Sequence, residues 1–70
     1  MSKESSIIGE NIKRLRLQKD LSQDKLARLA DIAFPTLTKI ESGETPNPTI
    51  ETVRKIANAL GVSLDDLIQK

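Results

Sequence analysis

The sequence predicts an all-α fold, a compact bundle of five short helices forming one domain over residues 1–70. Three observations predict it. Apolar residues recur at helical spacing along nearly the whole chain. Cap residues punctuate that pattern, with Ser22, Thr49 and Ser63 at helix starts and Gly43 and Gly61 at helix stops. The apolar mass is almost all Ile, Leu, Val and Ala, and the joints between the helices are short.

The first helix is expected from about Ile7 to Lys19, capped by Ser6, with Ile8, Ile12 and Leu15 as its buried stripe. Asp20 follows where the chain must turn, and Asp tolerates left-handed backbone better than most residues. Ser22 caps the second helix, Gln23 to about Ala30. Leu21 and Leu26 flank that cap at the spacing of a hydrophobic staple. Asp31-Ile32-Ala33 makes the next turn. The third helix runs from about Phe34 or Pro35 to Ser42 and is ended by Gly43. Pro35 pushes Phe34 away from helical angles, but a proline is harmless in a first helical turn, where its missing N–H had no partner.

Glu44-Thr45-Pro46-Asn47-Pro48 is expected as an extended loop, since two prolines exclude helix. Thr49 caps the fourth helix, Ile50 to Leu60, with Ile50, Val53, Ile56, Ala57 and Leu60 as its buried stripe. The fifth helix, about Leu64 to Gln69, opens on a capping box of Ser63 and Asp66 with a Val62/Leu67 staple.

Composition narrows the function. Seventy residues bury a modest core, about 60% of the unfolded surface at this size. There is no cysteine for a disulfide or thiolate site, and no histidine to serve as general base or neutral metal ligand. Catalysis would fall to scattered carboxylates, Lys or Ser in a chain too small for a deep pocket, so an enzyme is not expected. No cofactor, metal or small-molecule ligand is expected either. No apolar run reaches the roughly 20 residues of a membrane span, and the first residues lack a secretory core, so the expected location is cytoplasmic. Eleven Lys/Arg against ten Asp/Glu leave a net charge of +1. Residues 1–42 carry eight against six, +2, and residues 43–70 three against four, −1. The cluster Lys13, Arg14, Arg16 reads more simply as a solvated helix face than as a phosphate patch.

The stretch Gln23–Ser42 carries the functional signal. Leu26, Ala27, Ala30, Ile32, Leu37 and Ile40 suit two helices crossing steeply, the first bracing the second, and such a second helix can enter the major groove of DNA. Leu37 and Ile40 point inward. Phe34, Pro35, Thr38 and Lys39 fall on other faces, with Thr36 to one side. Lys39 can donate to guanine O6/N7 or to a phosphate, Phe34 can pack on a thymine methyl, and the threonines can reach phosphates or bases. Gln23 stands at a helix N-terminus, where the dipole favours a phosphate.

The segment LSQDKLARLADIAFPTLTKIESG, and with it the chain from IGENIKRLR through NPTIETVRKIANALGVSLDDLI, resembles the XRE family, helix-turn-helix transcriptional regulators of the phage-repressor and Cro type. The resemblance implies a lambda-repressor-like bundle of five helices. It implies Gln23 on a phosphate; Phe34, Pro35 and Lys39 at base edges; Thr36 and Thr38 at groove or phosphate; and the backbone N–H of Ser42, just after the third helix, on a phosphate. It implies that Arg16 and Glu41 form a buried, structural salt bridge between helices one and three. The chain departs from the family pattern at three places. Asp31 holds the turn position usual for Gly. Ala33 stands at the usual Ser/Thr cap, followed by apolar Phe34 and Pro35 in place of polar readers. The loop ETPNP lacks the cations some members carry there, which implies fewer released counterions and a shallower dependence on salt.

The expectation is a sequence-specific regulator of transcription that binds double-stranded DNA. One domain offers a small interface, so useful affinity implies a homodimer, with reading helices about 34–36 Å apart on a palindromic or pseudo-palindromic operator. The C-terminal helix or the loop before it would form the dimer surface, with Leu17 as another contact. The rival reading is the same fold as a protein-binding module, such as an antitoxin holding a toxin, which the low net charge and apolar Phe34-Pro35 would suit.

Overall fold

Polar caps and left-handed residues at the helix ends set the path of the chain. The computed structural model describes residues 7–69. Its elements are α1 (Ile7–Gln18), α2 (Gln23–Ala30), α3 (Phe34–Ser42), α4 (Ile50–Leu60) and α5 (Leu64–Ile68), with no strand among the described residues. The fold is therefore all-α, with the five helices read from the sequence. The expected Ser6 cap lies outside the described residues.

Three helices start on the hydroxyl caps that the sequence marks. Ser22 accepts from the Lys25 N–H, Thr49 from the Thr52 N–H, and Ser63 from the Asp66 N–H. Asp66 returns a carboxylate to the Ser63 N–H, completing the capping box. Each such cap contributes about 1 kcal/mol by satisfying donors that the helix itself leaves open.

Three helices also end alike. Asp20, Asp31 and Gly61 take left-handed φ of 62°, 59° and 73°. The residue after each then reaches back five positions: the Leu21, Ile32 and Val62 N–H groups donate to the carbonyls of Arg16, Ala27 and Ala57, each at 3.0 Å. This closure satisfies last-turn carbonyls and swings an apolar residue onto the core. Leu21, Ile32 and Val62 all pack there. Asp31 thus does the work of the usual glycine, at the modest backbone cost that Asp incurs in this conformation.

The core lies where all five helices meet. Ile12, Leu26, Leu37, Ile56 and Leu67 are fully buried, joined by Ala27, Ala30, Ile40, Val53, Ala57 and Leu60. Burying one such branched side chain contributes about 1.5–3 kcal/mol. In the packing, α1 lies against α3 and α5, α2 against α3 and α4, and α4 against α5. The pair α2–α3 is thereby held from behind by α1 and α4.

Some expectations are corrected. Ile50 is 60% exposed and is no part of the buried stripe. It is the first residue of α4, and a helical side chain leans toward the N-terminus, so Ile50 overhangs the preceding loop. The loop after α3 is bent, not extended. The Thr45 N–H donates to the Lys39 carbonyl at 3.0 Å and folds the loop back on the end of α3. Helices α1 and α5 each stop one residue early, at Gln18 and Ile68.

Candidate nucleic-acid interface

Everything that positions α3 converges on one carboxylate. Glu41, in its last turn, accepts from two donors on one edge of the Arg16 guanidinium: Nε donates to Oε2 at 2.7 Å and Nη2 to Oε1 at 3.0 Å. The two side chains are only 9% and 3% exposed. Arg16 Nη1 also donates to the Leu21 carbonyl at 2.7 Å, so the same guanidinium pins the turn leading into α2. Gln23 completes the knot, its Nε2 donating to Glu41 Oε1 at 3.0 Å. A carboxylate only accepts, so the nitrogen end of that amide must face it. One buried cation thus ties α1, the start of α2 and the end of α3 together.

The two helices of the pair differ in how they start. Ser22 caps α2 firmly. Ala33 precedes α3 in extended geometry with no side-chain bond, and Pro35 lies in the first helical turn. Phe34 is helical despite the proline that follows. The first turn of any helix leaves its N–H groups without intrahelical partners, so losing the Pro35 donor there removes no helical bond.

Along α3, Leu37 and Ile40 are buried at 0% and 1%. Phe34, Pro35, Thr36 and Lys39 are exposed. Phe34, the one aromatic residue of the sequence, leaves 46% of its surface open and so is not core filler. Lys39 forms no ion pair with any described residue. Thr38 is half-buried and its hydroxyl donates to the Pro35 carbonyl at 3.0 Å. The Ser42 hydroxyl donates to the Lys39 carbonyl at 3.1 Å and accepts from the Glu44 N–H at 3.3 Å.

Ser42 is the last residue of α3, not the residue after it. A residue in that place turns its N–H back along the helix. The exposed α3 side chains that donate to no described residue are therefore Thr36 and Lys39, beside an apolar first turn of Phe34 and Pro35. Gln23 lies apart from them, at the N-terminal end of α2.

Two features of this frame escape a linear reading. Asn11 is 3% exposed and clamps the end of α5 to α1, its Nδ2 donating to the Leu67 carbonyl at 2.8 Å and the Gln69 carbonyl at 2.6 Å. Arg14 Nη1 in turn donates to Asn11 Oδ1 at 3.1 Å. Gly9 lies against the backbone of α3 at Ile40 and Glu41. An Asn and a Gly on the buried side of an otherwise apolar stripe were the available signals.

Among the described residues no group of His, Cys, Asp or Glu is placed to hold a metal ion. No helix among them is long and apolar enough to cross a membrane.

Two short helices, joined by the turn Asp31–Ala33 and with the second showing one bare face, define a helix-turn-helix. The chain matches the helix-turn-helix family HTH_3 over residues 12–67 and belongs to it. It is thus an XRE-type helix-turn-helix protein, and several of its relatives are named HTH-type transcriptional regulators. It is 33% identical over 60 residues to the HTH-type transcriptional regulator DdrOP3 of Deinococcus deserti, covering 86% of this chain and 46% of that protein. It is 36% identical over 63 residues to the control protein C.BamHI of Bacillus amyloliquefaciens, covering 89% and 76%. With the HTH-type transcriptional regulator SinR of Bacillus subtilis it shares 34% over 64 residues, covering 91% and 58%. The chain therefore spans about half the length of the first and of the last, and three quarters of the control protein.

Proposed function

We propose that this chain is a sequence-specific regulatory domain that binds double-stranded DNA as a homodimer, with α3 in the major groove of a palindromic or pseudo-palindromic operator. The supporting observation is the split of α3. Leu37 and Ile40 are sealed in the core while Phe34, Pro35, Thr36 and Lys39 face outward on a helix braced from behind. That division lets a helix enter a groove without giving up its own packing.

Lys39 and Thr36 supply the polar contacts, Lys39 to guanine O6/N7 or a phosphate. Phe34 and Pro35 supply apolar contact, which suits the methyl group of thymine. Gln23 binds a phosphate at the N-terminus of α2, where the helix dipole favours it. Thr38, half-buried, and Ser42, exposed, lie on the same helix. Each hydroxyl must leave its present carbonyl acceptor before it can donate to DNA, so their contribution is smaller. Such a protein acts where the DNA is, in the cytoplasm.

Selection of duplexes from a random pool tests this reading. The expected result is a site of two related half-sites about one helical turn apart, each carrying thymine near a guanine. Failure to enrich any sequence, with capture of a protein partner instead, would favour the interaction-module reading.

A further inference from the structure

We propose that Glu41 is a positioning residue for the DNA backbone contact: it holds the Gln23 amide in its phosphate-binding orientation before DNA arrives. This rests on the reading of Gln23 as a phosphate contact.

Gln23 is the first residue of α2 yet is half-buried. A long side chain there would ordinarily move freely and lose that freedom on binding. Here its Nε2 is anchored on Glu41 Oε1 at 3.0 Å, eighteen residues further along the chain. An amide nitrogen carries two hydrogens. One is committed to Glu41 and the other remains for a phosphate oxygen, beside the open N–H groups of the first turn of α2.

A carboxylate this close would repel a phosphate. Its charge is matched by Arg16, which grips both carboxylate oxygens, at 2.7 and 3.0 Å. The ion pair thus turns Glu41 into a neutralised acceptor that aims a donor without opposing the anion. It also couples the two halves of the interface, since Glu41 rides on the reading helix and Gln23 on the bracing one.

The test uses a duplex recovered from the random pool, remade with one uncharged methylphosphonate at each backbone position in turn. Wild type is expected to lose about tenfold or more in affinity at the phosphate that Gln23 holds. Gln23→Ala loses the response at that position alone. The Arg16→Met/Glu41→Leu double variant, which removes the acceptor without stranding a buried charge, and Glu41→Asp, which keeps the charge but withdraws it by one methylene, lose the same response at the same position. Ile12→Val, a core change, keeps it. Glu41 variants that retain the response missing in Gln23→Ala would overturn the proposal. So would a Gln23→Ala protein that responds everywhere as wild type does, in which case Gln23 touches no phosphate.

A second measurement needs no variant. In the free wild-type protein the Gln23 side-chain amide is expected to be as ordered as the helix backbone by NMR relaxation. A freely reorienting amide overturns the proposal, whereas wild type binding no duplex at all defeats the DNA-binding reading beneath it.

Discussion

Gly9 of α1 lies so close to the Ile40 carbonyl of α3 that a Cβ there would meet the oxygen well inside 3.0 Å. The Glu41 carbonyl is 3.1 Å away from the same point. Both obstacles are backbone, so neither can swing aside. The missing side chain is what lets α1 close on the end of α3 and deliver Arg16 to Glu41. Ordinarily Gly→Ala in a helix gains about 1 kcal/mol. Here Gly9→Ala is expected to cost about 1–3 kcal/mol in urea denaturation, because the helices must separate. A stabilised variant would show that α1 and α3 are not in this contact.

The ion pair beneath the interface carries its own expectation. Arg16→Met leaves the Glu41 carboxylate buried and unmatched and is expected to cost about 3–5 kcal/mol. Arg16→Met combined with Glu41→Leu removes the stranded charge along with its partner. The double variant should then be more stable than Arg16→Met alone. Strictly additive losses in the same denaturation series would mean that the pair is solvated.

Lys39 and Gln23 should separate cleanly in binding. Lys39→Ala is expected to relax preference at one base pair, with a loss of about 1–3 kcal/mol confined to the preferred sequence. Gln23→Ala should weaken all duplexes alike. Competition titrations against duplexes with single base-pair changes distinguish the two, and equal losses on every duplex would make Lys39 a phosphate contact.

Phe34 is expected to sense a methyl group. Replacing thymine by uracil at its base pair deletes one methyl, worth about 0.8 kcal/mol if buried. Wild type should lose affinity by that order, and Phe34→Ala should bind both duplexes equally. If wild type does not distinguish thymine from uracil anywhere in the site, Phe34 plays no part in readout.

What was legible in the chain was what depends on neighbours in sequence. Ser22, Thr49 and Ser63 cap because a hydroxyl reaches an N–H three residues on, and Asp31 turns because Asp tolerates left-handed backbone. The buried faces of α2 and α3 follow from helical spacing. Ile50 fitted that spacing too, but an end residue leans off its helix. Gly9, Asn11 and the link from Gln23 to Glu41 depend on what lies opposite in space, which no spacing rule reports. The carbonyl bonds of the Thr38 and Ser42 hydroxyls are local, since Thr and Ser within a helix readily bond a carbonyl one turn back.

The central claim, that α3 reads DNA through its outward face, is tested most directly by NMR titration of the labelled protein with a selected duplex. The largest changes are expected at the amides of Phe34, Thr36 and Lys39, with a second group at Gln23, and little at Leu29, which is exposed on α2. Changes confined to Leu29, with α3 unmoved, would contradict it.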